Sequence, residues 1–132
     1  MSIRKIEHVG VMVRDIERSV AFYTEVVGLR HLRTMLHTNG VIKLAFLAYP
    51  DASETVIELI EGYNADLPAE GKVHHIAFTV DRLDDELARI RTLDVALRDT
   101  EITTLPDGSR YFFFYGPDGE LLELFEPGQA SV

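Results

Sequence analysis

Hydrophobic and polar positions along the chain follow one order of periods, and that order occurs twice. Residues 3–13 alternate around Val9, Val11 and Val13, the period of a half-buried strand. Asp15 follows as a helix N-cap. Ile16, Val20, Phe22, Tyr23, Val26 and Val27 then recur at helical spacing, and Gly28 closes the segment as a C-cap. Strands are expected over 29–37, 41–49 and 54–61, with a tight turn at Asn39-Gly40 and a second turn at Pro50-Asp51. Residues 62–71 are polar and rich in turn formers, which suits a linker. The order then repeats. A strand is expected over 72–80 and a helix from Asp81 to Leu93 with Leu83, Leu87, Ile90 and Leu93 on one face. Strands follow at 96–102, 110–115 and 120–126, with turns at Pro106-Asp107-Gly108 and Gly116-Pro117-Asp118-Gly119.

Each half therefore reads β-α-β-β-β: a first module over 3–61, the linker 62–71 and a second module over 72–127. Neither half closes a core alone, so the expected unit is a single domain covering 1–132. The fold class is α+β: two tandem βαβββ modules forming a curved, cup-like mixed β-sheet with helices on the outer face. The residues themselves echo. His8-Val-Gly-Val-Met-Val-Arg-Asp-Ile matches His75-Ile-Ala-Phe-Thr-Val-Asp-Arg-Leu in type, position for position.

Candidate chemistry falls on this repeat. His8 and Glu58 lie in the first module, His75 and Glu123 in the second, 50 and 48 positions apart. Strand side chains alternate between faces. Val9, Val11 and Val13 suit the face under the first helix, which sends His8, Gly10 and Met12 the other way. Ile76, Phe78 and Val80 do the same for His75, Ala77 and Thr79. Ile57 and Leu59, then Leu122 and Leu124, flank the two glutamates on the opposite face. All four polar residues are thus expected on the faces away from the helices, with small Gly10 and Ala77 leaving room for a ligand. Single histidines and glutamates on strands are usually solvated or structural. Two register-matched pairs point instead to a shared divalent metal with a carboxylate to spare as a base. His74 has the opposite parity and is expected on the helix side or at the sheet margin, in a structural role. His31 and His37 are expected on the surface or at a pocket rim. The run Tyr111-Phe112-Phe113-Phe114-Tyr115 should give one face to the core and the other to a pocket wall.

Composition narrows the chemistry. The 132 residues contain no cysteine, so thiolate ligands, disulfides and cysteine nucleophiles are excluded and any metal must take nitrogen and oxygen donors. A net charge of −9 argues against nucleic acid and anionic membrane surfaces as partners. The segment Met1-Ser2-Ile3-Arg4-Lys5 lacks the apolar core of a signal peptide, and no apolar run approaches the ~20 residues that span a bilayer, so a cytoplasmic location is expected. Phosphate-binding loops, nucleophile elbows and His-Glu-x-x-His are absent from the sequence.

With these residues in view, the chain resembles the vicinal oxygen chelate (glyoxalase/bleomycin resistance/dioxygenase) superfamily over its full length, and is most similar to glyoxalase I (lactoylglutathione lyase). The segments that carry the resemblance are Arg18 to Leu29, Leu32-Arg33-Thr34, Leu44-Ala45-Phe46, Val56-Ile57-Glu58-Leu59, His75-Ile76-Ala77, and Gly116-Pro117-Asp118-Gly119 running into Leu122-Glu123-Leu124. By matching position, the resemblance implies metal ligands at His8, Glu58, His75 and Glu123, holding one six-coordinate divalent ion per site: nickel, cobalt, zinc or manganese. It implies isomerisation of a thiol hemithioacetal of methylglyoxal to a hydroxyacyl thioester through an enediolate. Glu123 would move the proton and Glu58 would face it as second base or ligand. Arg33 is the candidate for substrate recognition, and a homodimer is implied, because related two-module chains pair.

Three alternatives stand beside this reading. His74-His75-Ile76-Ala77-Phe78 also resembles methylmalonyl-CoA epimerase, but no basic cluster for CoA phosphates accompanies it. A ring-cleaving dioxygenase needs two histidines and one carboxylate, against which the extra Glu58 counts. Metal-free small-molecule (drug) binding members of the superfamily tend to lack the ligands that this chain retains.

Overall fold

Each βαβββ unit folds its strands into a four-stranded mixed sheet of its own. The computed structural model describes residues 6–64, 66–68, 71 and 73–128; the expected starts of the modules, at 3–5 and 72, lie outside the described residues. The chain divides into two compact units between Leu67 and Pro68, inside the stretch read as a linker.

In the first unit β1 (Val9–Val13) leads into α1 (Ile16–Phe22), and β2 (Arg30–Leu36), β3 (Lys43–Ala48) and β4 (Thr55–Glu61) follow. The strand order is β1-β4-β3-β2, with β1 parallel to β4 and the other pairs antiparallel. Asp15 caps α1 as expected, its Oδ1 accepting from the Glu17 and Arg18 amides at 3.1 and 3.2 Å. The helical segment does not stay α-helical. After Phe22 it widens into a π-helical turn over Tyr23–Val27, and the chain leaves through Gly28 at φ 90°, a left-handed conformation open to glycine. The widening seats Tyr23, fully buried, among Val13, Ile16, Leu47, Ile57 and Leu59 of the same buried core. The expected Asn39-Gly40 hairpin is a longer loop. Asn39 Oδ1 accepts from the Val41 and Ile42 amides, and the ladder closes at His37–Ile42.

The second unit runs β5 (Ile76–Thr79), α2 (Leu83–Arg91), β6 (Thr103–Thr104), β7 (Arg110–Tyr115) and β8 (Leu121–Glu126), in the order β5-β8-β7-β6 with β5 parallel to β8. Leu83, Leu87 and Ile90 of α2 are buried with Phe112, Phe114, Leu122 and Leu124. The remaining aromatics of the run, Tyr111, Phe113 and Tyr115, take the other face. The expected strand at 96–102 is corrected. Only a bridge from Leu97 to Phe114 and the two residues of β6 pair with β7, because the chain bulges between them. The amides of Arg98 and Asp99 both donate to the Phe113 carbonyl, at 3.1 and 3.2 Å, and Asp99 Oδ2 accepts from the Phe113 amide at 2.9 Å. At the β7–β8 turn the Glu120 carboxyl group lies where a Cβ on Gly116 would stand.

One feature of both units is absent from the expectations. The last strand ends in a glutamate that reaches back to its helix. Glu61 Oε1 accepts from the Ile16 amide and Glu126 Oε2 from the Leu83 amide, each at 2.9 Å. A cation stands across the strand pair in both: Lys43 Nζ 3.6 Å from Glu61, and Arg110 Nη2 3.2 Å from Glu126 and 2.7 Å from Asp84. Among the described residues no helix is long and apolar enough to cross a membrane.

Candidate metal and proton-transfer site

Register places the four proposed ligands within their own units. In the first, Gly10 of β1 is the parallel partner of Glu58 on β4. His8 stands two residues before Gly10, just ahead of β1. In the second, Ala77 of β5 is the partner of Glu123 on β8, and His75 precedes Ala77 by two. The two units repeat the arrangement position for position. The burial agrees with the alternation: Ile57 and Leu59 are buried on the helix side, and Glu58 between them is half-buried.

The pairs differ in what they touch. His75 Nε2 lies 3.2 Å from Glu123 Oε1. His8 Nδ1 instead contacts Glu7 Oε1 at 3.0 Å on the surface. Among the described residues of each unit, no group of three or more metal-capable side chains is assembled. Each unit offers a pair. Gly10 is exposed, and a Cβ there would stand 3.3 Å from Ile60 Cδ1.

Glu123 is the chemically distinctive carboxylate. It is 7% exposed. Burial pushes its pKa above the usual glutamate value, the nearby His75 partly offsets that, and the Asp99 charge adds to the rise. A carboxylate held in this way is closer to a working proton acceptor at neutral pH than a solvated one. Besides Glu123, two side chains hold His75. Its ring meets Phe113 edge-on with centroids 5.1 Å apart, it meets His74 at 5.2 Å, and its Nδ1 lies 2.9 Å from His74 Nδ1. When Nε2 serves the carboxylate side, Nδ1 is the nitrogen left for His74. His74, expected on the helix side or at the sheet margin, therefore belongs to the surroundings of the site. The parity argument missed it because His74 precedes β5, where strict alternation does not hold.

The His75–Glu123 pair offers one nitrogen and one oxygen donor of the kinds a divalent cation takes. Two adjacent nitrogen and oxygen ligands, each about 2.1 Å from a metal, stand roughly 3 Å apart at a right angle. The 3.2 Å between His75 Nε2 and Glu123 Oε1 matches that spacing. His74 on Nδ1 provides the outer hydrogen-bond partner that metal-binding imidazoles usually have.

Arg33 sits in the same row as Glu58. On β2 and β3 it is the partner of Phe46, and Phe46 is in turn the partner of Glu58. Its guanidinium carbon lies 4.4 Å from the Phe46 ring centroid. His31 is exposed, its Nε2 2.8 Å from the Thr34 hydroxyl, and takes no part in this row.

The fold agrees with comparisons to known proteins. Residues 5–124 match the Glyoxalase/Bleomycin resistance protein/Dioxygenase superfamily, and the chain belongs to that family. It is 52% identical over 123 residues to the uncharacterized protein YwbC of Bacillus subtilis (strain 168), covering 93% of this chain and 98% of that one. It is 34% identical over 130 residues to the lactoylglutathione lyase of Salmonella typhimurium (strain LT2), covering 96% of each. Among solved structures it resembles the trypanothione-dependent glyoxalase I of Leishmania major, with a TM-score of 0.74 and 32% identity, over 94% of this chain and 87% of that one.

Proposed function

We propose that the protein is a divalent-metal-dependent isomerase of the glyoxalase I type, acting on the hemithioacetal that a thiol forms with methylglyoxal. The observation that carries this reading is the contact between His75 and Glu123, a ligand-spaced imidazole and a buried carboxylate, with His8 and Glu58 at the equivalent register of the other module. The relatives named lactoylglutathione lyase support it.

In this reading His8, Glu58, His75 and Glu123 hold the ion, and the two modules act together as one domain. When bound, a nickel, cobalt, zinc or manganese ion would supply Lewis-acid polarisation of the substrate's two adjacent oxygens. Glu123 removes the proton from the carbon bearing sulfur, leaving an enediolate. It then returns that proton to the neighbouring carbon, and the product is a hydroxyacyl thioester with the same atoms as the substrate. Burial of Glu123 keeps bulk water from competing for the proton. Phe113 and His74 hold the His75 ring in place. Glu58 serves as second base or ligand, and Arg33 on Phe46 contacts the substrate. We assign the reaction to the cytoplasm and to a homodimer.

The test is a paired assay on metal-loaded protein. Methylglyoxal with a thiol such as glutathione should yield thioester, and methylmalonyl-CoA should not be epimerised. Turnover of methylmalonyl-CoA alone, or tight binding of small molecules without turnover by metal-free protein, would replace this reading with the epimerase or the binding protein.

A further inference from the structure

The strand β7 is bonded along its outer side by backbone groups at both ends and by a side chain in the middle. The Tyr115 amide donates to the Ala96 carbonyl at 2.9 Å, and Tyr111 pairs with Thr103. Seven residue steps separate Ala96 from Thr103, against four from Tyr115 to Tyr111, so the surplus chain bulges. At the bulge the Phe113 carbonyl accepts from the Arg98 and Asp99 amides, and the Phe113 amide donates to Asp99 Oδ2 at 2.9 Å. The half-buried Asp99 carboxylate thus stands in for the ladder carbonyl that a regular strand would supply.

Phe113 is the residue of β7 that most needs this hold. Its neighbours Phe112 and Phe114 are fully buried under α2, whereas Phe113 lies on the other face, half-buried. Its ring is set by what borders it: His75 edge-on at 5.1 Å, Tyr111 at 5.4 Å and the Arg98 guanidinium carbon at 5.0 Å. Phe113 is also the register partner of Glu123. One backbone position therefore carries a ring that touches the histidine and stands beside the carboxylate.

We propose that Asp99 is a positioning residue of the site: by locking the bulge around Phe113 it holds that ring against His75 and so sets the imidazole beside Glu123. The proposal rests on the reading of His75 and Glu123 as site residues. The first module offers a contrast. There β2 also shifts register, between His31 and Arg33, but the residue that follows is Thr34, whose hydroxyl meets His31 Nε2. His8 of that module contacts Glu7. The module with an acid in its bulge is the one whose histidine meets the glutamate on the last strand.

The experiment reads the histidine directly. Imidazole proton signals of His75 and His8 are followed by nuclear magnetic resonance in the full chain at one fixed pH, and zinc affinity is measured by calorimetry. In Asp99→Ala the His75 signals should move toward those of a solvated histidine as the Phe113 ring leaves them, with His8 unmoved, and zinc affinity should fall about tenfold. Asp99→Asn, which keeps a carbonyl oxygen for the Phe113 amide and drops the charge, should restore most of both. Asp99→Glu keeps the charge and displaces the carboxylate by a methylene. It should move the His75 signals, and it decides the matter if Asp99→Ala does not fold. The control Asp107→Ala removes a similar bond, from the Ser109 amide to Asp107 Oδ1, and should leave His75 and zinc affinity unchanged. Unmoved His75 signals in Asp99→Ala or Asp99→Glu, equal damage from Asp99→Asn and Asp99→Ala, or His8 and His75 shifting alike would overturn the assignment. If wild type binds no zinc, the metal reading fails and the His75 signals alone decide the role of Asp99.

Discussion

His75 Nε2 and Glu123 Oε1 stand 3.2 Å apart, although the two residues are 48 positions apart in the chain. The parallel pairing of β5 with β8 makes the contact, by setting Ala77 beside Glu123 and His75 one pleat further on. If Glu123 is the base, Glu123→Gln keeps the shape and loses the proton acceptor. The expected result is a fall in kcat of about 10²–10⁴-fold with the thermal transition little changed. Steady-state kinetics on samples of measured metal content would check it.

If His8, Glu58, His75 and Glu123 hold an ion as proposed, activity should depend on metal. Exhaustive dialysis against a chelator should abolish isomerase activity, and nickel, cobalt, zinc or manganese should restore it to different extents. Elemental analysis should give one ion per active site. His8→Ala and His75→Ala should each reduce metal retention, whereas His74→Ala should weaken it by a smaller factor, about 10–100-fold, as loss of an outer partner does.

A subunit-mixing experiment addresses how the two pairs combine. His8→Ala and Glu123→Ala homodimers should each be inactive. If a site draws one pair from each of two chains, mixed dimers contain one intact site and regain part of the wild-type activity. Activity that stays absent after subunit exchange, verified by native mass spectrometry, would place all four ligands within one chain.

Glu126 provides a pH prediction. The Leu83 amide holds its carboxyl below the usual glutamate range, with Arg110 as the second cause. A carboxylate whose folded pKa is depressed stabilises the fold above its unfolded value, near 4.5, and this stabilisation is lost as pH falls through the folded value. Glu126→Gln should therefore lower Tm at neutral pH. The difference from wild type should shrink as pH drops below about 4.5 and the wild-type carboxylate is protonated. A gap that widens on acidification would contradict the assignment. Thermal melts followed by circular dichroism across that range would decide.

The amount of this that could be read from sequence depended on how local its cause was. The faces expected of Glu58 and Glu123 follow from period-two alternation around Ile57 and Leu122, and the registers that pair them with Gly10 and Ala77 agree with it; His8 and His75 stand just ahead of β1 and β5, outside those registers. Asp15 was legible as a cap because its partners are two and three residues away. The caps by Glu61 and Glu126 were not, since the amides they serve are 45 and 43 residues distant. Residues 96–102 read as a strand because their composition suits one; the bulge is a tertiary event, set by Asp99 bonding the Phe113 amide. Asp99 was missed for the same reason. Its hold on Phe113 depends on that bulge, and no periodic pattern marks it.

The helix-capping glutamates also bear on the proton-transfer residues. Glu58 and Glu61 share β4, and Glu123 and Glu126 share β8, three positions apart and so on opposite faces. Ile16 and Leu83 grip one member of each couple, which pins the strand lengthwise. A slip of one residue would release the helix start and at the same time turn the carboxylate proposed as the base toward the leucines. Correct seating of the helix thus acts as an alignment check on the chemistry: a module that has not docked its helix has not aimed its acid.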